Sequence, residues 1–120
     1  MLVELWHNPA CSNSRNALAL IRQAGIEPVI VEYLKTPLSK ARLAEVIASA
    51  GLTVREVIRE KEAAYTEQGL DDPSLSDDAL LDAMVATPVL INRPFVISPL
   101  GARLARPPER VRELLPPELV

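Results

Sequence analysis

Two short apolar runs bracket an amphipathic stretch at the start of the chain, and together they restrict the fold more than any other feature. "LVELW" (Leu2 to Trp6) is followed by turn residues and predicts a strand buried on at least one face. "NSRNALALIRQAG" predicts a helix: Leu18, Ile21 and Ala24 share one face, and Gly25 stands where a C-terminal cap is expected. "PVIVEYL" (Pro28 to Leu34) is rich in β-branched residues and predicts a second strand. Strand, helix and strand within about 33 residues is the length of a right-handed βαβ unit, so the two strands should run parallel.

The middle of the chain is helical in pattern. Ser39 can cap "KARLAEVIASA", in which Leu43, Val46, Ile47 and Ala50 form one face before Gly51. Thr53 and Glu56 make a T-x-x-E capping box that should open a helix over "VREVIREKEAAY". Ser76 opens "DDALLDAMVA", acidic in its first turn as the helix dipole favours, and Pro88 ends it. Beyond it, "FVI" (Phe95 to Ile97), the turn residues "SPLG" and "ARLA" predict an antiparallel hairpin. "PPERVRELL" predicts a short closing helix that proline can start. The order β-α-β, helices, β-β-α is that of an α/β, thioredoxin-like fold. It implies a mixed, mainly four-stranded sheet and a helical segment inserted at about residues 39–87. No repeat or linker divides the chain, so residues 1–120 are expected to form a single domain.

Apolar residues make up 48% of the chain, enough for a folded core. A net charge of −3 with both signs interspersed, and an aromatic content of 3%, argue against a nucleic-acid partner. No apolar run approaches the ~18 residues that cross a bilayer, and no signal-peptide pattern opens the chain. One cysteine cannot form an internal disulfide, so a cytoplasmic location is expected. One cysteine and one histidine supply too few soft ligands for structural zinc, and no metal is expected.

That cysteine, Cys11, lies in "LWHNPACSNSRNAL", about two residues before the first helix and just after the first strand. Loops leaving the C-terminal ends of parallel strands are where α/β folds bind ligands. The helix N-terminus offers unpaired N–H groups and a partial positive charge, which favour a thiolate and can also cradle an oxyanion. Ser14 can add a hydroxyl hydrogen bond, Arg15 adds charge, and His7 adds more when protonated. A thiolate beside an anion cradle suits nucleophilic attack on an oxygen-rich anionic centre. The competing reading is a small buried hydrophobe, but the polar flanks and loop position weigh against it. For His7 the competing reading is a hydrogen bond to the loop backbone.

Arg59, Arg93 and Arg106 are candidates for the anion site, because the planar guanidinium fork makes paired bonds to tetrahedral oxyanions. Taken singly, each also reads as a solvated surface charge, Arg59 on an exposed helix face. Arg93 sits between two apolar runs and directly before Pro94, a candidate for the cis proline that opens the third strand of thioredoxin-like folds. A phosphatase loop of the form C-x(5)-R fails here, since Ala17 occupies the arginine position.

"HNPACSNSRNAL", "TVREVIREKE" and "INRPFVISPLGARLARP", in this order, closely resemble the glutaredoxin-linked arsenate reductases over almost the whole chain. The resemblance implies that Cys11 attacks arsenate and that Arg59, Arg93 and Arg106 hold the oxyanion and the reduced product. It implies that His7 and Ser14 tune the thiolate. It also implies no bound cofactor: glutathione is a co-substrate, and glutaredoxin clears a mixed disulfide from Cys11. Ala105 takes a position where some members carry a second cysteine, which this mechanism does not need because the resolving thiol comes from outside. The given sequence closes with "RVRELLPPELV", whereas some members continue into a longer tail. Two further readings keep Cys11 or the fold but change the task. One is a general glutathione-dependent thiol oxidoreductase acting on mixed disulfides. The other is a regulatory adaptor like the Spx-type proteins that bind RNA polymerase, although their C-x-x-C switch is C-S-N-S here.

Overall fold

The computed structural model describes residues 1–119. Strands β1 (Glu4–Trp6), β2 (Val29–Val31), β3 (Phe95–Ser98) and β4 (Gly101–Leu104) form one sheet in the order β2-β1-β3-β4. β1 and β2 are parallel, and the other pairs are antiparallel. Helix α1 (Ser12–Gln23) connects the parallel pair. Helices α2 (Lys40–Ser49), α3 (Val54–Val57), α4 (Ala63–Glu67) and α5 (Asp77–Ala86) fill the middle of the chain. The α/β, thioredoxin-like order with a mixed four-stranded sheet is therefore the observed one.

The chain divides into two compact units, residues 1–36 with 93 onward, and residues 37–92. In the first unit, the sheet and α1 enclose a core of Val3, Leu5, Ala17, Ile21 and Val96, closed by Val111, Leu114 and Leu115. Ala17 and Ile21 are four residues apart, and Ser14 precedes Ala17 by three, so all three lie on one helix face and are fully buried. Leu18 and Ala24, expected to lead this face, flank it and are only partly buried. Gly25, at φ +83°, ends α1 by turning left-handed, so that its N–H reaches the Arg22 carbonyl and that of Ile26 the Ile21 carbonyl. β2 is shorter than "PVIVEYL" suggests, and Val29 and Ile30 are half-exposed because it is an edge strand. The closing segment Pro108–Leu114 is a 3-10 helix, followed by a second at Pro117–Leu119.

In the second unit α2, α3 and α5 pack on one another. Ser39 caps α2, Ser76 caps α5, and Thr53 with Glu56 forms the complete capping box of α3. One sequence expectation fails here. The helix over "VREVIREKEAAY" stops after Val57, and α4 is a separate turn. Ile58 leaves the helix at ψ 136° and forms an antiparallel bridge with Ile91. Both isoleucines are buried, at 4% and 1% exposure, and burying two β-branched side chains in an extended pair outweighs one more helical turn. Arg59 therefore lies on an extended segment rather than on an exposed helix face.

Candidate active site

Cys11 is itself the N-cap of α1, one residue closer to the helix than expected, with extended backbone dihedrals and a partly exposed side chain. The loop before it is held by short-range bonds. Asn8 Oδ1 accepts from the Ala10 N–H at 3.0 Å, and the Cys11 N–H donates to the Asn8 carbonyl at 2.9 Å. The Arg15 guanidinium donates to the Pro9 carbonyl at 2.9 Å. Arg15 thus braces the loop backbone that carries Cys11.

Burial pushes the Cys11 thiol up, the largest single influence. The Ser14 N–H, the hydrogen bond and charge of the Arg93 guanidinium, and the Asn13 N–H together outweigh it, leaving the thiol below its ordinary range. The Cys11 side chain closes no geometrically complete capping bond, so these N–H groups act as nearby dipoles at the open end of α1. Cysteine at an N-cap leaves those donors facing sulfur, where serine or aspartate would ordinarily satisfy them.

Ser14 and His7 form the buried floor of the loop. Ser14 Oγ lies 2.6 Å from His7 Nδ1 and accepts from the Asn8 N–H at 3.0 Å. The hydroxyl is engaged with the loop, and the Ser14 contribution to the thiol comes from its backbone N–H. The His7 backbone N–H donates to the Val31 carbonyl at 2.9 Å, which fastens the loop to β2. Burial lowers the His7 pKa first; Glu32 opposes this, while Arg22 and Arg15 add to it. His7 is therefore held neutral near pH 7, and the extra positive charge expected of it is missing. Its bond to Ser14, rather than to a backbone group, was not legible from spacing alone.

The Arg93–Pro94 and Arg106–Pro107 peptide bonds are both cis. Arg106 Nη1 donates to the Arg93 carbonyl at 2.9 Å, and the Ala105 N–H donates to the Pro94 carbonyl at 2.8 Å. Arg93 and Arg106 are thus neighbours at the start of β3 and the end of β4. Arg59 belongs to the second unit. Its Nε donates to Glu62 Oε1 at 3.1 Å, and its Nη1 donates to Asn92 Oδ1 at 3.3 Å. The Arg59 N–H donates to the Leu90 carbonyl at 2.8 Å, and the Asn92 N–H to the Val57 carbonyl at 3.0 Å. Sequence reasoning missed Glu62, Asn92, Asn8 and Asn13. The Arg59/Glu62 spacing and the adjacency of Asn92 to Arg93 were the available signals.

Among the described residues no three His, Cys, Asp or Glu side chains cluster as metal ligands, and no helix is long and apolar enough to cross a membrane. The chemistry offered by the first unit is a partly exposed, readily ionised sulfur with an arginine against it.

Comparison with known proteins agrees with this geometry. The ArsC family model matches residues 6–114. An arsenate reductase of Rhizobium meliloti (strain 1021) is 62% identical over 116 residues, covering 97% of this chain and 83% of that protein. The arsenate reductase of Escherichia coli (strain K12) is 47% identical over 114 residues, covering 95% and 81%. A solved arsenate reductase from Vibrio cholerae superposes with a TM-score of 0.92 at 46% identity, covering 96% of this chain and 98% of that one. With the family model matched over residues 6–114 and relatives 46–62% identical along nearly its whole length, the chain belongs to the ArsC family.

Proposed function

We propose that this chain reduces arsenate to arsenite with Cys11 as its nucleophile and glutathione as the electron source. The observation that carries the reading is the N-cap thiol, lowered by Arg93 and the α1 N–H groups, in a member of this family. The Cys11 thiolate attacks arsenic(V), forming a sulfur–arsenic bond as one oxygen leaves as water. Glutathione thiolate then attacks the Cys11 sulfur. A disulfide forms, the sulfur–arsenic electron pair stays on arsenic, and arsenic leaves as arsenite, reduced by two electrons. A glutaredoxin thiol takes the glutathione from Cys11 and restores the thiolate. No second protein sulfur is required, which fits a chain with one cysteine.

Arg93 and Arg106 are read as oxyanion ligands, Arg93 doubling as the thiol's counter-charge, with Arg59 as the third. Ser14, His7 and Arg15 are read as positioning residues that hold the loop, with Pro94 shaping the start of β3. The chain is read as one domain in which residues 37–92 are inserted into the thioredoxin-like unit, working in a reducing cytoplasm. Arsenate-dependent NADPH oxidation, coupled through glutathione, glutaredoxin and glutathione reductase, tests the proposal. A rate equal to the protein-free control refutes it, and wild-type turnover by Cys11→Ser refutes the nucleophile.

A further inference from the structure

The Arg59 guanidinium already carries a carboxylate. Glu62 Oε1 accepts from Nε at 3.1 Å, and the two side chains are only 20% and 27% exposed. The Glu62 N–H donates to the Arg59 carbonyl at 3.3 Å, so a tight turn delivers the carboxylate to this place. Asn92 takes Nη1, which leaves the Nη2 edge uncommitted among the described residues. An incoming oxyanion meets a guanidinium already paired with a carboxylate, so one negative charge stands beside the place it would take.

We propose that Glu62 is a built-in competitor for the anion that Arg59 receives, setting how weakly an oxyanion is held. The inference rests on the reading of Arg59 as an oxyanion ligand. A partly desolvated pair interacts more strongly than an open surface pair, and the repulsion of a doubly charged oxyanion by Glu62 is correspondingly less screened. The repulsion acts on the bound anion before and during reaction alike, so it raises KM and leaves kcat nearly unchanged. It weakens the binding of non-reacting anions such as phosphate by the same factor, which shortens the time any such anion occupies the site. Glu62 is thus a positioning residue with an electrostatic effect, acting through Arg59.

The test is calorimetric titration of arsenate and of inorganic phosphate into wild type, Glu62→Gln, Glu62→Ala and Arg59→Ala, with KM and kcat measured in parallel. Glu62→Gln and Glu62→Ala should bind both anions about threefold or more tightly, with KM falling by the same factor and kcat held. Unchanged or weaker binding in both Glu62 variants, while Arg59→Ala loses affinity, overturns this inference alone and reduces Glu62 to a structural brace. Undiminished anion affinity in Arg59→Ala, or no anion binding by the wild type, overturns the reading of Arg59 and this inference with it.

Discussion

Replacing Ser14 by alanine should cost stability while leaving most of the thiol's acidity in place. The Ser14 side chain is fully buried, and its hydroxyl meets His7 Nδ1 at 2.6 Å and the Asn8 N–H at 3.0 Å. Alanine removes the oxygen and leaves two polar groups behind. Each buried orphan costs about 1–3 kcal/mol. The His7 nitrogen is buried and should fall well within that range, whereas the Asn8 amide is only partly buried and water can reach it. The sum is about 2–4 kcal/mol, a sizeable share of the ~5–15 kcal/mol that holds a small protein folded. In urea the midpoint should fall with the slope unchanged. The Ser14 N–H, which alanine keeps, is Ser14's own share of the lowering of the Cys11 pKa, beside those of Arg93 and the Asn13 N–H. The pH midpoint of iodoacetamide alkylation should therefore move less in Ser14→Ala than in Arg93→Gln. A stability within about 0.5 kcal/mol of wild type would refute the buried-orphan argument. An alkylation midpoint shifted as far as in Arg93→Gln would refute the assignment of tuning to the backbone.

Arg93→Gln should raise the Cys11 pKa and slow alkylation near neutral pH, because it removes both a charge and a hydrogen bond from the sulfur; an unmoved midpoint contradicts the placement. His7 has a folded pKa below its ordinary 6.5, so the unfolded state takes up the proton first as pH falls. Its contribution to stability is present above about pH 6.5 and is lost on acidification below that value. Urea midpoints taken from about pH 7.5 to about pH 5.5 should fall more steeply for wild type than for His7→Gln, and parallel slopes would exclude His7 as the group responsible.

The fold was legible wherever local chemistry decides local structure. Thr53 with Glu56, Ser39, Ser76 and Gly25 all mark helix ends, because caps satisfy groups within a few residues. The stop after Val57 was not legible, because its cause is the pairing of Ile58 with Ile91, thirty-three residues beyond it. The same division runs through the candidate site. The N-cap position of Cys11 follows from its neighbours in sequence, and so does the adjacency of Arg93 to Pro94. The neutrality of His7 does not, since it depends on burial. Nor does the attachment of Arg106 to the Arg93 carbonyl, which depends on how β4 returns alongside β3.

The Ile58–Ile91 bridge makes the chain between them a loop stapled at its base. Insertions or deletions in the exposed turn around residues 73–75, just past the Leu70 and Asp72 carbonyls that the Arg55 guanidinium holds, change the loop's closure entropy only slowly with length. They leave the seat of Arg59 beside Asn92 as it is. The staple itself has no such tolerance, because a slip of one residue turns every side chain on that segment to the opposite face. Two buried isoleucines thereby separate what can change in length, the exposed turn between α4 and α5, from what must keep register, the two residues that lead into Arg93.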